Sequence, residues 1–196
     1  MNTRLALALA ATLGLALPAY SVTANAAATQ SAEQANPFFA ESPLPLHYPQ
    51  FDKIKDADFA PAFDAGMAQQ LKEVEAIANT KAKPTFDNTI IALEKSGDTL
   101  DRATTVFFSL VGADTNDTRK KLQADYSAKF AAHSDAIALN GKLFARIQAL
   151  YDTRSQLGLD AEGVRLVEKY YDNYVRAGAK LSEEIEERRV GKECRL

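Results

Sequence analysis

The 196-residue chain has one cysteine, two histidines and no tryptophan. With Cys194 alone, a disulfide within the chain is excluded, and His47 and His133 are too few for a zinc site built from clustered Cys and His. A basic excess is also missing: 23 Lys and Arg stand against 26 Asp and Glu, a formal net charge of −3. Nucleic acid and anionic lipid are therefore set aside as partners. Strand-type alternation of useful length is absent, as are a glycine-rich phosphate loop, a nucleophile elbow and a Cys/His dyad. The one long apolar run, Leu5 to Leu17, stops at Pro18, short of the ~20 residues that cross a bilayer.

That run follows Arg4 and leads to the small residues Ala24-Asn25-Ala26, the pattern of a secretory signal peptide over 1–26. The expected mature protein is exported, most simply to a bacterial periplasm, with no membrane association after cleavage. At the other end, EERRVGKECR shifts composition without a linker and resembles the conceptual translation of a sequencing-adapter oligonucleotide. Residues 186–196 are accordingly expected to be a scar, not part of the fold. Over the whole chain the hydrophobic share is 46%, with 10 Phe and 7 Tyr, enough apolar surface for a core.

Between the ends the spacing predicts an all-α protein. Residues 27–50 hold Pro37, Pro43, Pro45 and Pro49 and read as an extended arm, and 51–185 as a helical domain. From Asp58, the residues Phe59, Phe63, Met67, Leu71, Val74 and Ile77 recur at intervals of four or three and define one face of a helix. Pro61 is expected in its first turn, where a missing N–H costs nothing. Thr85 introduces a short helix through Ile90, Ile91 and Leu93 that ends at Ser96-Gly97. Another runs from about Asp98 to Val111 with Leu100, Val106, Phe107, Leu110 and Val111 inward. After the loop Gly112 to Asp117, Asp117 or Thr118 is expected to cap a helix presenting Leu122, Tyr126, Phe130, His133 and Ile137. Asn140-Gly141 separates it from one carrying Leu143, Phe144, Ile147, Leu150 and Tyr151. Asp160 caps the last, with Val164, Val167, Tyr171, Tyr174 and Val175 inward before Gly178. Short connections imply antiparallel helix pairs.

Little of this carries recognisable chemistry. Asp114-x-Asn116-Asp117 has the oxygen donors of a calcium loop, but Arg119 and Asp125 occupy the places of its glycine and terminal glutamate, so helix capping is the expected role. His133, near Asp135 on an apolar face, is expected to be a partly buried, hydrogen-bonded histidine, and His47 to pack among Leu46, Tyr48 and Phe51. Tyr170, Tyr171 and Tyr174 have the spacing of core residues. The H-E-x-x-H arrangement, in which two imidazoles one turn apart hold zinc and the Glu activates water, is absent.

A resemblance adds what spacing does not. Asn36-Pro37-Phe38-Phe39, the stretch Phe51-Asp52-Lys53-Ile54-Lys55-Asp56 running into Asp58-Phe59-Ala60-Pro61-Ala62-Phe63, and above all PTFDNTIIALEKSG from Pro84 to Gly97 resemble bacterial peptidyl-dipeptidases. Thr115 to Thr118, Leu143 to Arg146 and Val175 to Ser182 continue the resemblance in order, so that it spans about residues 36 to 183. These proteins are among the thimet oligopeptidase-like zinc metallopeptidases. The resemblance implies the antiparallel helical N-terminal lobe of a larger, mostly helical enzyme that releases dipeptides from the C-terminus of short peptides. It implies zinc in the complete enzyme, held by residues that correspond to nothing in this chain, so no catalytic, cofactor-binding or metal-binding residue is assigned and this chain is expected to be inactive and to bind no zinc. An internally cleaving oligopeptidase is the nearer alternative within that class. A non-catalytic periplasmic protein that binds peptides or a partner is the alternative outside it.

Overall fold

The computed structural model describes residues 36–181; the expected signal peptide of 1–26 and the expected scar of 186–196 lie outside them. Six helices and three short 3-10 turns make up this part, and among the described residues there is no strand. The helices are α1 (Asp56–Ala78), α2 (Phe86–Ile91 continuing into Ala92–Glu94), α3 (Asp98–Ala113), α4 (Asp117–Ala138), α5 (Gly141–Asp152) and α6 (Ala161–Ala177).

Side-chain caps fix most of the starts. Asn116, Asn140 and Asp160 accept the backbone N–H of Arg119, Leu143 and Gly163, relieving donors that the first helical turn cannot pair internally. Asn116 thus does what was expected of Asp117 or Thr118. It can do so because α3 continues through Gly112 and Ala113, leaving only a short connection. Thr85 and Asn88 cap α2 reciprocally, each side chain accepting the other's backbone N–H at 3.1 and 2.8 Å. The first six residues of α2 then form a wide π turn. At the other end of the chain α6 stops at Gly178, whose φ of 97° suits a residue without Cβ.

Two apolar clusters hold the helices. The first joins Phe38 from the arm to Phe59 and Phe63 of α1, Leu100, Val106 and Phe107 of α3, and Tyr126 of α4. Its centre is aromatic: the Phe63 ring lies 5.2 Å from Phe107, 5.1 Å from Tyr126 and 5.0 Å from Phe130, all edge to face. The second joins Val74 and Ile77 of α1 to Ile90 and Leu93 of α2, Leu143, Phe144, Ile147 and Leu150 of α5, and Val167 and Tyr174 of α6. Helix α1 therefore contributes to both. Its direction relative to the others follows from pairings along it. Gly66 meets Leu100 and Gln69 meets Thr99 while Phe63 meets Phe107, so α3 runs antiparallel to α1. Asp56, Ala60, Asp64 and Gln70 meet Arg119, Tyr126, Lys129 and His133 in turn, so α4 runs parallel to it. Helices α5 and α6 are antiparallel, with Phe144 against Tyr174 and Arg154 against Glu168.

The approach of α1 to α3 is closest at Gly66, where an added Cβ would lie 2.8 Å from the backbone of Leu100. Two expectations about α1 need correcting. Leu71 is 38% exposed, because the face that meets α3 there is taken by Gln70 and Glu73 bonding to the α2–α3 corner. Pro61 lies in the second turn, since the helix already starts at Asp56, and the carbonyl of Ala57 loses its usual donor.

Candidate functional site

An open groove of about 730 Å³ lies between α1, α3, α4 and the α2–α3 corner. Gly97 makes that corner possible. It is left-handed at φ 84°, and a Cβ there would fall 2.3 Å from the Gln70 amide nitrogen. Its N–H donates to Glu73 Oε2 at 2.8 Å, while the Gln70 amide donates to the carbonyl of Ser96 and Thr99 Oγ1 donates to Gln69 Oε1. A polar rail on α1 thus pins the corner from which Asp98 and Asp101 project along the start of α3. With Glu94 they make its lining acidic, and Thr104, Thr105, Phe108 and Phe130 line it as well. No lysine or arginine lines it.

His133 and Gln70 stand between this groove and a second hollow of about 290 Å³ lined by Ser134, Ile137, Asn173 and Tyr174. The His133 Nε2 to Gln70 Oε1 distance is 2.7 Å. Because the Gln70 amide nitrogen faces Ser96, its oxygen faces the imidazole, which assigns the proton to Nε2. Nδ1 is left buried without a partner. Burial holds the His133 pKa below its ordinary 6.5. The unfolded chain takes up a proton near pH 6.5, and the folded chain only at lower pH. Stability is therefore fully present above that value and falls as the pH drops towards the folded pKa. His133→Gln is expected to flatten this part of the profile, checked by urea unfolding at about pH 7.5 and about pH 5.5.

The expected hydrogen-bonded histidine is found, though its partner is Gln70 of α1 and not the neighbouring Asp135. His47 corrects the expectation made for it: it is exposed, with Nδ1 3.1 Å from the Ser42 carbonyl and 3.4 Å from Glu41, and does not pack with Leu46, Tyr48 and Phe51. The oxygen-rich stretch Asp114 to Asp117 is spent on protein. Arg119 bonds both the backbone and side chain of Asp114 and reaches Asp56 Oδ1 at 2.7 Å, while Asn116 donates to Asp56 Oδ2 at 2.8 Å. The hydrogen bond from Asn116 and the guanidinium of Arg119 hold the Asp56 carboxyl below its ordinary range. Tyr174 is buried, its pKa pushed up to about 12 by desolvation, and Tyr171 stacks 3.9 Å from Tyr151, so the tyrosine group is packing as expected.

One polar residue central to the fold escaped the sequence reading. Arg146 is 6% exposed and pairs with no carboxylate among the described residues. It donates to the carbonyls of Thr80 and Ala82, to Asn88 Oδ1 at 2.7 Å and to Thr89 Oγ1 at 3.1 Å. The signal was available: position 146 is three after Leu143 and four before Leu150, and so shares their inward face.

As chemistry, the groove offers acceptors for a cationic group and the apolar side chains of Phe108 and Phe130. It offers no nucleophile beside a base: the Thr104 hydroxyl is bonded back to its own helix, and His133 Nε2 is occupied by an amide. Among the described residues no group of three or more His, Cys, Asp or Glu could hold a metal ion.

No family model matches the chain. Over 149 residues, 76% of its length, it is 48% identical to a protein of Salmonella typhimurium named dipeptidyl carboxypeptidase. Over 148 residues it is 47% identical to one of the same name from Escherichia coli. The peptidyl-dipeptidase resemblance read from the sequence is thereby borne out. The matched stretch spans 22% of the length of each relative.

Proposed function

We propose, with kinship to the dipeptidyl carboxypeptidases as the premise, that this chain is the N-terminal helical part of an exported zinc peptidase. The complete enzyme would release dipeptides from the C-terminus of short peptides in the periplasm. What supports the reading is the 48% identity sustained over 149 residues. Zinc, when bound in such an enzyme, polarises a carbonyl and activates water. The described residues do not fit that ion: His133 is committed to Gln70, His47 stands exposed beside a single carboxylate, and no third ligand joins either. No step of the reaction is assigned to them.

The part this chain plays is to shape access. Rigid helices packed on two apolar clusters form a wall, and the acidic groove on that wall suits the ammonium group of a short peptide better than a carboxylate. The groove also favours a second reading, a peptide-binding protein without catalysis. Both are tested on the 196-residue chain with zinc and a blocked tripeptide. Neither stoichiometric zinc uptake nor dipeptide release is expected. Zinc-dependent release would overturn the assignment, and tight binding of basic peptides by a native protein of this length would favour the second reading.

A further inference from the structure

Within residues 44–51, four large apolar side chains are exposed: Leu44 at 39%, Leu46 at 97%, Tyr48 at 62% and Phe51 at 42%. They are held there by structure. Ser42 Oγ donates to the Tyr48 carbonyl at 2.6 Å and accepts the Leu44 N–H, the His47 and Tyr48 N–H groups close turns onto Leu44 and Pro45, and the Tyr48 and Phe51 rings meet edge to face at 5.8 Å. Pro43, Pro45 and Pro49 restrict the backbone further. Leu46 and His47 both sit in the left-handed region, at φ 57° and 56°, which a side chain with Cβ avoids because it crowds the carbonyl. Nothing among the described residues offsets that strain, since Leu46 touches almost only solvent. A preorganised apolar hook is the result, and preorganisation favours binding by removing the ordering cost in advance.

We infer that this hook docks into an apolar depression on the part of the longer polypeptide that lies outside this chain, with Leu46 inserted and Tyr48 and Phe51 at the rim. The inference rests on the proposed function, under which the chain is one piece of a protein of its relatives' length, of which it spans 22%. A second copy of this chain is the weaker occupant. A stable dimer needs roughly 800 Å² from each partner, more than four side chains present, whereas docking within one polypeptide is spared the association entropy.

The test compares Leu46→Gly and Leu46→Asp in the complete polypeptide and in the 196-residue chain. Glycine accepts the left-handed backbone and removes only an exposed side chain, so in the short chain neither variant is expected to melt lower than the parent. In the complete polypeptide both are expected to lower the melting temperature below that of the parent and to make the hook cleavable by protease. Equal melting of parent and variants in the complete polypeptide overturns the docking alone. Loss of a dimer of the short chain on Leu46→Asp overturns it in favour of a second copy. A native protein no longer than 196 residues defeats the proposed function as well.

Discussion

Replacing Arg146 with alanine is expected to lower the unfolding free energy by about 2–5 kcal/mol, a large share of the ~5–15 kcal/mol that a domain has. The guanidinium links three segments at one point: the stretch just after α1 through the carbonyls of Thr80 and Ala82, the start of α2 through Asn88 and Thr89, and α5 itself. Removing it takes the donor from the carbonyls of Thr80 and Ala82, while Asn88 Oδ1 keeps the Thr85 N–H and the Thr89 hydroxyl; each acceptor left unpaired costs about 1–3 kcal/mol. The two carbonyls lie just beyond the C-terminus of α1, where the negative end of the helix dipole also favours a cation. Arg146→Lys keeps the charge but not the planar fork, and is expected to recover less than half the loss. Equilibrium urea unfolding measures both, and a loss below about 1 kcal/mol for the alanine variant would show that the network contributes little.

Phe63→Ala should cost a comparable amount, about 3–5 kcal/mol, by a different route. Its ring is fully buried, and Phe107, Tyr126 and Phe130 all present edges or faces to it within about 5 Å. Those three come from α3 and α4, so the cavity would open at the junction of three helices, where relaxation of one is blocked by the other two. Phe63→Leu fills most of that space and is expected to lose about 1–1.5 kcal/mol. Thermal unfolding followed by circular dichroism would separate them. Equal melting temperatures for the two variants would mean the aromatic edges, not the volume, carry the stabilisation.

The helices were legible because their signals are local. Apolar residues at intervals of three and four set the inward faces of α3, α5 and α6, and Thr85, Asn140, Asp160 and Gly178 mark ends with chemistry that works over four residues. Where the outcome depended on distant groups the sequence was silent. Asn116 outcompetes Asp117 as a cap, its amide fixed at the same time to Asp56, 60 positions away. Leu71 is exposed because its neighbours on α1 were claimed by the α2–α3 corner. Arg146 reads as a surface cation until Asn88 and Thr89 arrive from 58 and 57 positions upstream. Nothing in the composition of Phe86 to Ile91 distinguishes a π turn from an α turn. The groove was not legible at all, since Gln70, Asp101 and His133 become neighbours only through the packing of three helices. What composition did convey was chemical poverty: one cysteine and two histidines placed far apart.

Helix α1, 23 residues long, belongs to both apolar clusters, with Phe59 and Phe63 embedded in one and Val74 and Ile77 in the other. At 1.5 Å per residue it is a rod of roughly 34 Å, braced near its start by Phe59 and Phe63 and near its end by Val74 and Ile77. Gln70, the residue that holds His133, sits between the two braces, so the partition between the groove and the hollow stands on the stretch of the rod that is supported from both sides.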